Sequence, residues 1–116
     1  VIEPAHATFW DGNVLYKFLE ADSRFQANEG KAVTNIAELR DIHDAGMARG
    51  YIIAIYDAHE TSGVYCIGPN VYLSQLAEVV RNYLRDHPEI RKYGADRIVR
   101  DVLAERFPCK GRASKP

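Results

Sequence analysis

Between Leu76 and Phe107 the chain twice spaces its apolar residues as one face of a helix, and each run is closed by a proline. Leu76, Val79, Val80, Tyr83 and Leu84 fall at i, i+3, i+4, i+7 and i+8. That period gathers them into one stripe of an α-helix. Pro88 ends the run after His87, because the proline ring pushes its predecessor out of the helical region. Ile98, Val99, Val102, Leu103 and Phe107 repeat the pattern, starting just after Gly94 and stopped by Pro108. Two such stripes must bury themselves against other elements, and the same reading applied upstream finds two more helices.

Thr8-Phe9-Trp10-Asp11 has the form of a capping box, with Thr8 as the acceptor for the first-turn amides. Val14, Leu15, Phe18 and Leu19 follow at helical spacing, which predicts a first helix to about Phe25 and a loop over 26–33. Asn35 with Glu38 three residues on predicts the start of a second helix, with Ile36, Leu39 and Ile42 as its apolar stripe. Beyond Met47 the apolar residues no longer keep to one side. Tyr51-Ile52-Ile53-Ala54-Ile55-Tyr56 reads as a helix buried on several sides. A strand is the alternative for such an Ile/Tyr run, but the preceding helical pattern enters it without a break. Gly46 and Gly50 lie four apart, where a helix normally avoids glycine. Close approach of a neighbouring helix would account for them. The expected fold is all-α, a compact bundle of about four helices in one domain over 1–116, with 110–116 as a frayed tail.

The chain has 116 residues and a formal charge of −1, with no apolar run long enough to span a membrane. Residues 1–80 carry −6 and residues 81–116 carry +5. The basic half alternates with acids and lacks interleaved aromatics, so it reads as a solvated helix face and no nucleic acid is expected. The chain opens without Met or a leader, which a removed signal peptide or a longer parent would each explain. Cys66 and Cys109 lack metal-ligand spacing, and two cysteines leave a disulfide open as one reading.

Residues 50–66 pose the functional question: an apolar run breaks at Asp57 into a polar tip and then meets Cys66. Asp57, His59 and Glu60 offer metal-ligand atoms, but no HExxH or second cluster accompanies them. His43 and Asp44 are adjacent and point to different helix faces. Cys66 with His59 or His87 is a conceivable nucleophile pair, although no helix N-terminus follows Cys66 to lower its pKa. His6 and His43 read as surface residues, and His87 as a helix C-terminal residue favoured by the dipole. No cofactor and no catalytic residue is expected.

Several motifs in order carry a resemblance. They are Phe9-Trp10-Asp11-Gly12-Asn13 with Leu15, Gly50-Tyr51-Ile52 with Asp57-Ala58, and Cys66-Ile67 followed by Val71, Leu73 and Gln75-Leu76. Tyr83-Leu84-Arg85-Asp86-His87-Pro88-Glu89 and Leu103-Ala104-Glu105-Arg106-Phe107-Pro108-Cys109 complete the set. Over about residues 9–110 the chain resembles the periplasmic immunity proteins that guard Gram-negative bacteria against type VI secretion amidase effectors.

The resemblance implies a helical protein exported through a cleaved leader. It would bind and inhibit a peptidoglycan amidase, act as a homodimer, and join Cys66 to Cys109. Family members often carry a second cysteine pair, and Leu19 and Ala48 stand at the matching positions, so the first two helices are expected to touch there by packing. Tyr72 stands where a capping Thr is common, which predicts a weaker helix start. Residues 58–64 become the expected inhibitory loop: Ala58, His59, Glu60, Thr61, Ser62, Gly63 and Val64, held at both ends and free at the tip. A metal-dependent periplasmic hydrolase and a non-inhibitory helical adaptor are the competing functions; zinc content separates the first.

Overall fold

The computed structural model describes residues 9–109. Four α-helices follow in order: α1 Gly12–Ala27, α2 Ile36–His59, α3 Leu73–Asp86 and α4 Ala95–Arg106, with a single 3-10 turn, Pro88–Ile90, between the last two. Among the described residues there is no strand, only an isolated bridge between Asp11 and Gly94. The expected tail 110–116, and Thr8 with His6, lie outside the described residues.

The start of α1 differs from the expectation. Asp11 is the N-cap, and its carboxylate accepts from Val14 N at 3.0 Å. A carboxylate three residues after a threonine can partner that threonine or cap a helix itself, and here it caps. The next amides are used by another part of the chain: Gly12 N donates to Tyr93 O at 3.0 Å and Asn13 N to Arg91 O at 3.1 Å, while Ala95 N donates to Trp10 O. This stitching brings backbone against backbone. A Cβ on Gly12 would lie 2.7 Å from Arg91 Cα, so only glycine fits.

α2 begins as predicted, with Asn35 Oδ1 accepting from Glu38 N at 2.9 Å. The Glu38 carboxylate reaches one residue further back than in a standard box, accepting from Thr34 N and the Thr34 hydroxyl. The helix continues unbroken through Gly50–Tyr56 to His59, as the uninterrupted pattern required. Its burial is one-sided, however. Ala45, Ala48 and Ile52 face the core, whereas Ile53 and Ala54 are exposed. Ile36, Leu39 and Ile42, expected in the core, are exposed too. Among the described residues, and apart from the backbone of α2 itself, nothing lies within 4 Å of a Cβ built on Gly46 or Gly50, so no other described helix approaches there. The buried α2 positions, Ala45, Ala48 and Ile52, fall at steps of three and four on one face, and α1, α3 and α4 all contact this helix.

The core is drawn from all four helices: Leu15 and Leu19, Ala48 and Ile52, Leu76, Val80 and Leu84, then Ile98, Val99, Val102 and Leu103. Fully burying a Leu or Ile stabilises by about 1.5–3 kcal/mol. Leu19 and Ala48 are both buried there, so α1 and α2 are held by packing at the positions expected to touch. Beside them Asp22, 2 % exposed, accepts from Arg49 Nε at 2.7 Å and from Gln26 Nε2 at 2.8 Å. Arg24 grips Asp41 through two bonds of 3.0 Å and holds its carboxyl below the usual range.

α3 and α4 match their predicted stripes and stops. At the α3 start Gln75 Oε1 accepts from Tyr72 N at 2.6 Å, which offsets the missing threonine. At its end the His87 ring contacts Tyr83 O through Nδ1 at 2.9 Å and stacks on Tyr83. Arg91 donates to Leu84 O and Arg85 O, satisfying carbonyls that the helix leaves open.

Candidate partner-binding site

The tip after α2 is shorter than the expected loop. Ala58 and His59 still belong to the helix and Glu60 is its C-cap. The turn that follows is closed on His59 O, which accepts from Ser62 N at 3.1 Å and from the Ser62 hydroxyl at 2.7 Å. The chain reverses at Gly63, whose φ of 81° lies in the left-handed region that favours glycine. Ala58, Glu60, Thr61 and Ser62 are exposed; His59, Gly63 and Val64 are half-buried.

Three devices hold the tip. Tyr65 is buried to 1 % exposure, and its hydroxyl lies 3.1 Å from Ile55 O and 3.0 Å from Tyr56 O in the final turns of α2. Its ring stacks on Tyr56. Burial, with smaller contributions from Tyr56, Asp57 and Glu60, pushes the phenol pKa up to about 12. Next, Cys66 and Cys109 form a disulfide, so neither sulfur is a nucleophile. Finally, Cys66 N donates to Phe107 O at 2.9 Å. The tip is thereby tied to α2 on one side and to the end of α4 on the other.

Chemically the tip offers acceptors and negative charge. The Ser62 proton is committed to His59 O, which leaves the exposed hydroxyl oxygen as an acceptor, and Glu60 is exposed two residues earlier. Asp57, His59 and Glu60 do not gather into a metal site; among the described residues no three His, Cys, Asp or Glu side chains do. His43 contacts its neighbour Asp44 at 2.9 Å despite their different faces. The concave spaces lie elsewhere. A groove of about 370 Å³ between α3 and α4 is lined by Tyr83, Tyr93, Arg97 and Asp101, and none of residues 58–64 enters it.

Sequence reasoning missed Tyr65. A large aromatic in a polar loop, immediately before a cysteine, was the available signal. It also missed Arg91, which covers the end of α3 and lies over the Tyr16 ring at 4.1 Å.

The architecture defines a small, disulfide-tied, four-helix protein that presents an exposed, anchored tip. The chain matches the model of the Rap1a immunity proteins over residues 15–109 and belongs to that family. The matched span includes the tip and both cysteines. No curated protein matches the chain. Among the described residues, no helix is long and apolar enough to cross a membrane.

Proposed function

We propose that this immunity protein binds and blocks a type VI secretion peptidoglycan amidase in the periplasm, acting as a homodimer and without catalytic activity of its own. The tip 58–64 enters or covers the amidase cleft. One observation carries this reading: the tip begins in the last turn of α2 and its far end is fixed to α2 by Tyr65 and to Cys109 by the disulfide at Cys66, while Glu60, Thr61 and Ser62 stand exposed. A segment ordered before binding loses less conformational entropy on binding, which favours affinity. An acidic, acceptor-rich tip suits an enzyme whose substrate is an acidic peptide stem, with Glu60 taking a carboxylate position.

The test is inhibition of the cognate amidase by the oxidised protein, titrated to one chain per enzyme. Changing Glu60 and Thr61 to Ala should weaken inhibition by about tenfold or more if they form a central hot spot. Unchanged inhibition would remove the tip from the interface.

A further inference from the structure

The last turn of α2 carries a carboxylate that its own helix does not favour. Asp57 lies two residues before the end of α2 at His59, where the backbone dipole presents its negative end. It is exposed, and among the described residues it makes no ion pair. Helix stability therefore gives no reason for an acid at this position.

Asp57 does border a cleft of about 390 Å³. Ile53, Tyr56 and Asp57, at i, i+3 and i+4 on α2, line it from one side. Ile67 and Val71, from the chain that follows the disulfide, line it with Leu76 of α3. Apart from Asp57, every described residue of the lining is uncharged. The cleft also adjoins the tip at both ends: Asp57 immediately precedes residue 58, and Ile67 immediately follows Cys66.

We propose that this cleft is a second contact with the amidase and seats one arginine side chain of that enzyme, its methylenes against Ile53 and Ile67 and its guanidinium on Asp57. The proposal rests on the reading of 58–64 as the inhibitory tip, because a partner that covers the tip meets the cleft in the same docking. The lining selects the occupant. A wholly apolar side chain would fill the space but cover Asp57 without supplying a cation, a costly state for a carboxylate. An acidic side chain would be repelled. A long basic side chain satisfies both parts of the cleft, since its stem is apolar and its head stays at the rim. Arginine suits it better than lysine: a guanidinium grips a carboxylate through two parallel hydrogen bonds and packs on an aromatic ring such as Tyr56. Glu60, one turn beyond Asp57 and also exposed, adds to the attraction for a cation.

Calorimetric titration of the cognate amidase with the oxidised full chain, at low and at high salt, tests the cleft. Asp57→Asn should weaken binding by about tenfold or more, the loss expected of a central anchor, and should flatten its salt dependence. Asp57→Leu should weaken it as well. Both variants replace an exposed acid that opposes the helix dipole, so the fold is kept, as helical circular dichroism would verify. Alanine replacement of the exposed arginines of the amidase should find one whose loss disappears when the inhibitor already carries Asp57→Asn, the mark of a direct pair. Tighter binding by Asp57→Leu would mean an apolar occupant and overturn the proposal. A parent chain that inhibits, matched in affinity by Asp57→Asn, would overturn the cleft and leave the reading of the tip standing. A parent chain that neither binds nor inhibits the amidase would overturn both.

Discussion

Removing one oxygen from Tyr65 tests how the tip is held. Tyr65→Phe keeps the ring that stacks on Tyr56 but deletes the hydroxyl that reaches Ile55 O and Tyr56 O. At pH 7 the loss of a buried hydrogen bond, with an acceptor left unsatisfied, should destabilise the protein by about 1–3 kcal/mol. The pH dependence supplies a second, independent signature. The folded phenol is raised to about 12, against about 10 in an unfolded chain. Below pH 10 it is neutral in both states and its contribution is fully present. As pH rises from 10 toward 12 the unfolded chain ionises first, and the native state loses stability relative to it. At pH 11 the loss comes to about 1.4 kcal/mol. The phenylalanine variant has no proton to lose, so its deficit against the parent should shrink by that amount between pH 7 and pH 11. Guanidinium unfolding of both proteins at the two pH values measures the difference. A deficit that stays constant, or a variant as stable as its parent at pH 7, would refute the role given to Tyr65.

Other expectations follow from single contacts. Gly12→Ala places a Cβ 2.7 Å from Arg91 Cα, and because backbone must shift to admit it, a loss of about 1–3 kcal/mol should be seen in thermal unfolding. Arg49→Ala leaves the carboxylate of Asp22, whose side chain is only 3 % exposed, without its cation, which should cost about 3–5 kcal/mol by denaturant titration. Reducing Cys66–Cys109, which are separated by 43 residues, should lower stability by about 4 kcal/mol in the chain-entropy estimate, read as a fall in the denaturant midpoint.

The parts of the fold legible in the sequence are those where period and punctuation agree. α3 and α4 have both: an unbroken apolar stripe, then a proline. α2 was legible as a helix but not in its surroundings, because periodicity identifies a face and says nothing of what covers it. Ile36, Leu39 and Ile42 look the same in sequence whether they meet a core or water. The α1 start was displaced because Asp11 can serve either of two capping roles, and its choice depends on Tyr93 and Arg91, some eighty residues away. The polar stretch before Cys66 was legible, but not where the helix ends, since Ala58 and His59 belong to α2; the bond to Cys109 came from resemblance, since spacing alone left it open. Tyr65 stayed hidden because one buried side chain in a loop has no period to betray it.

The bond between Cys66 and Cys109 does more than anchor the tip; it divides the polypeptide into an arm and a ring. α3, the 3-10 turn and α4 lie inside the ring, while α1 and α2 lie on the arm formed by residues 1–65. An oxidised chain that unfolds therefore never becomes fully linear. The arm needs only the short connection 28–35 to fold α1 against α2, an αα-hairpin closed by local chain. The ring brings its own ends together before folding begins, so the entropy of closing that long loop is already removed. The arm and the ring share one core, with Leu15 and Ile52 from the arm and Val80 and Val99 from the ring. Contacts distant in sequence slow folding, and the covalent ring shortens the chain path to those that join its two ends.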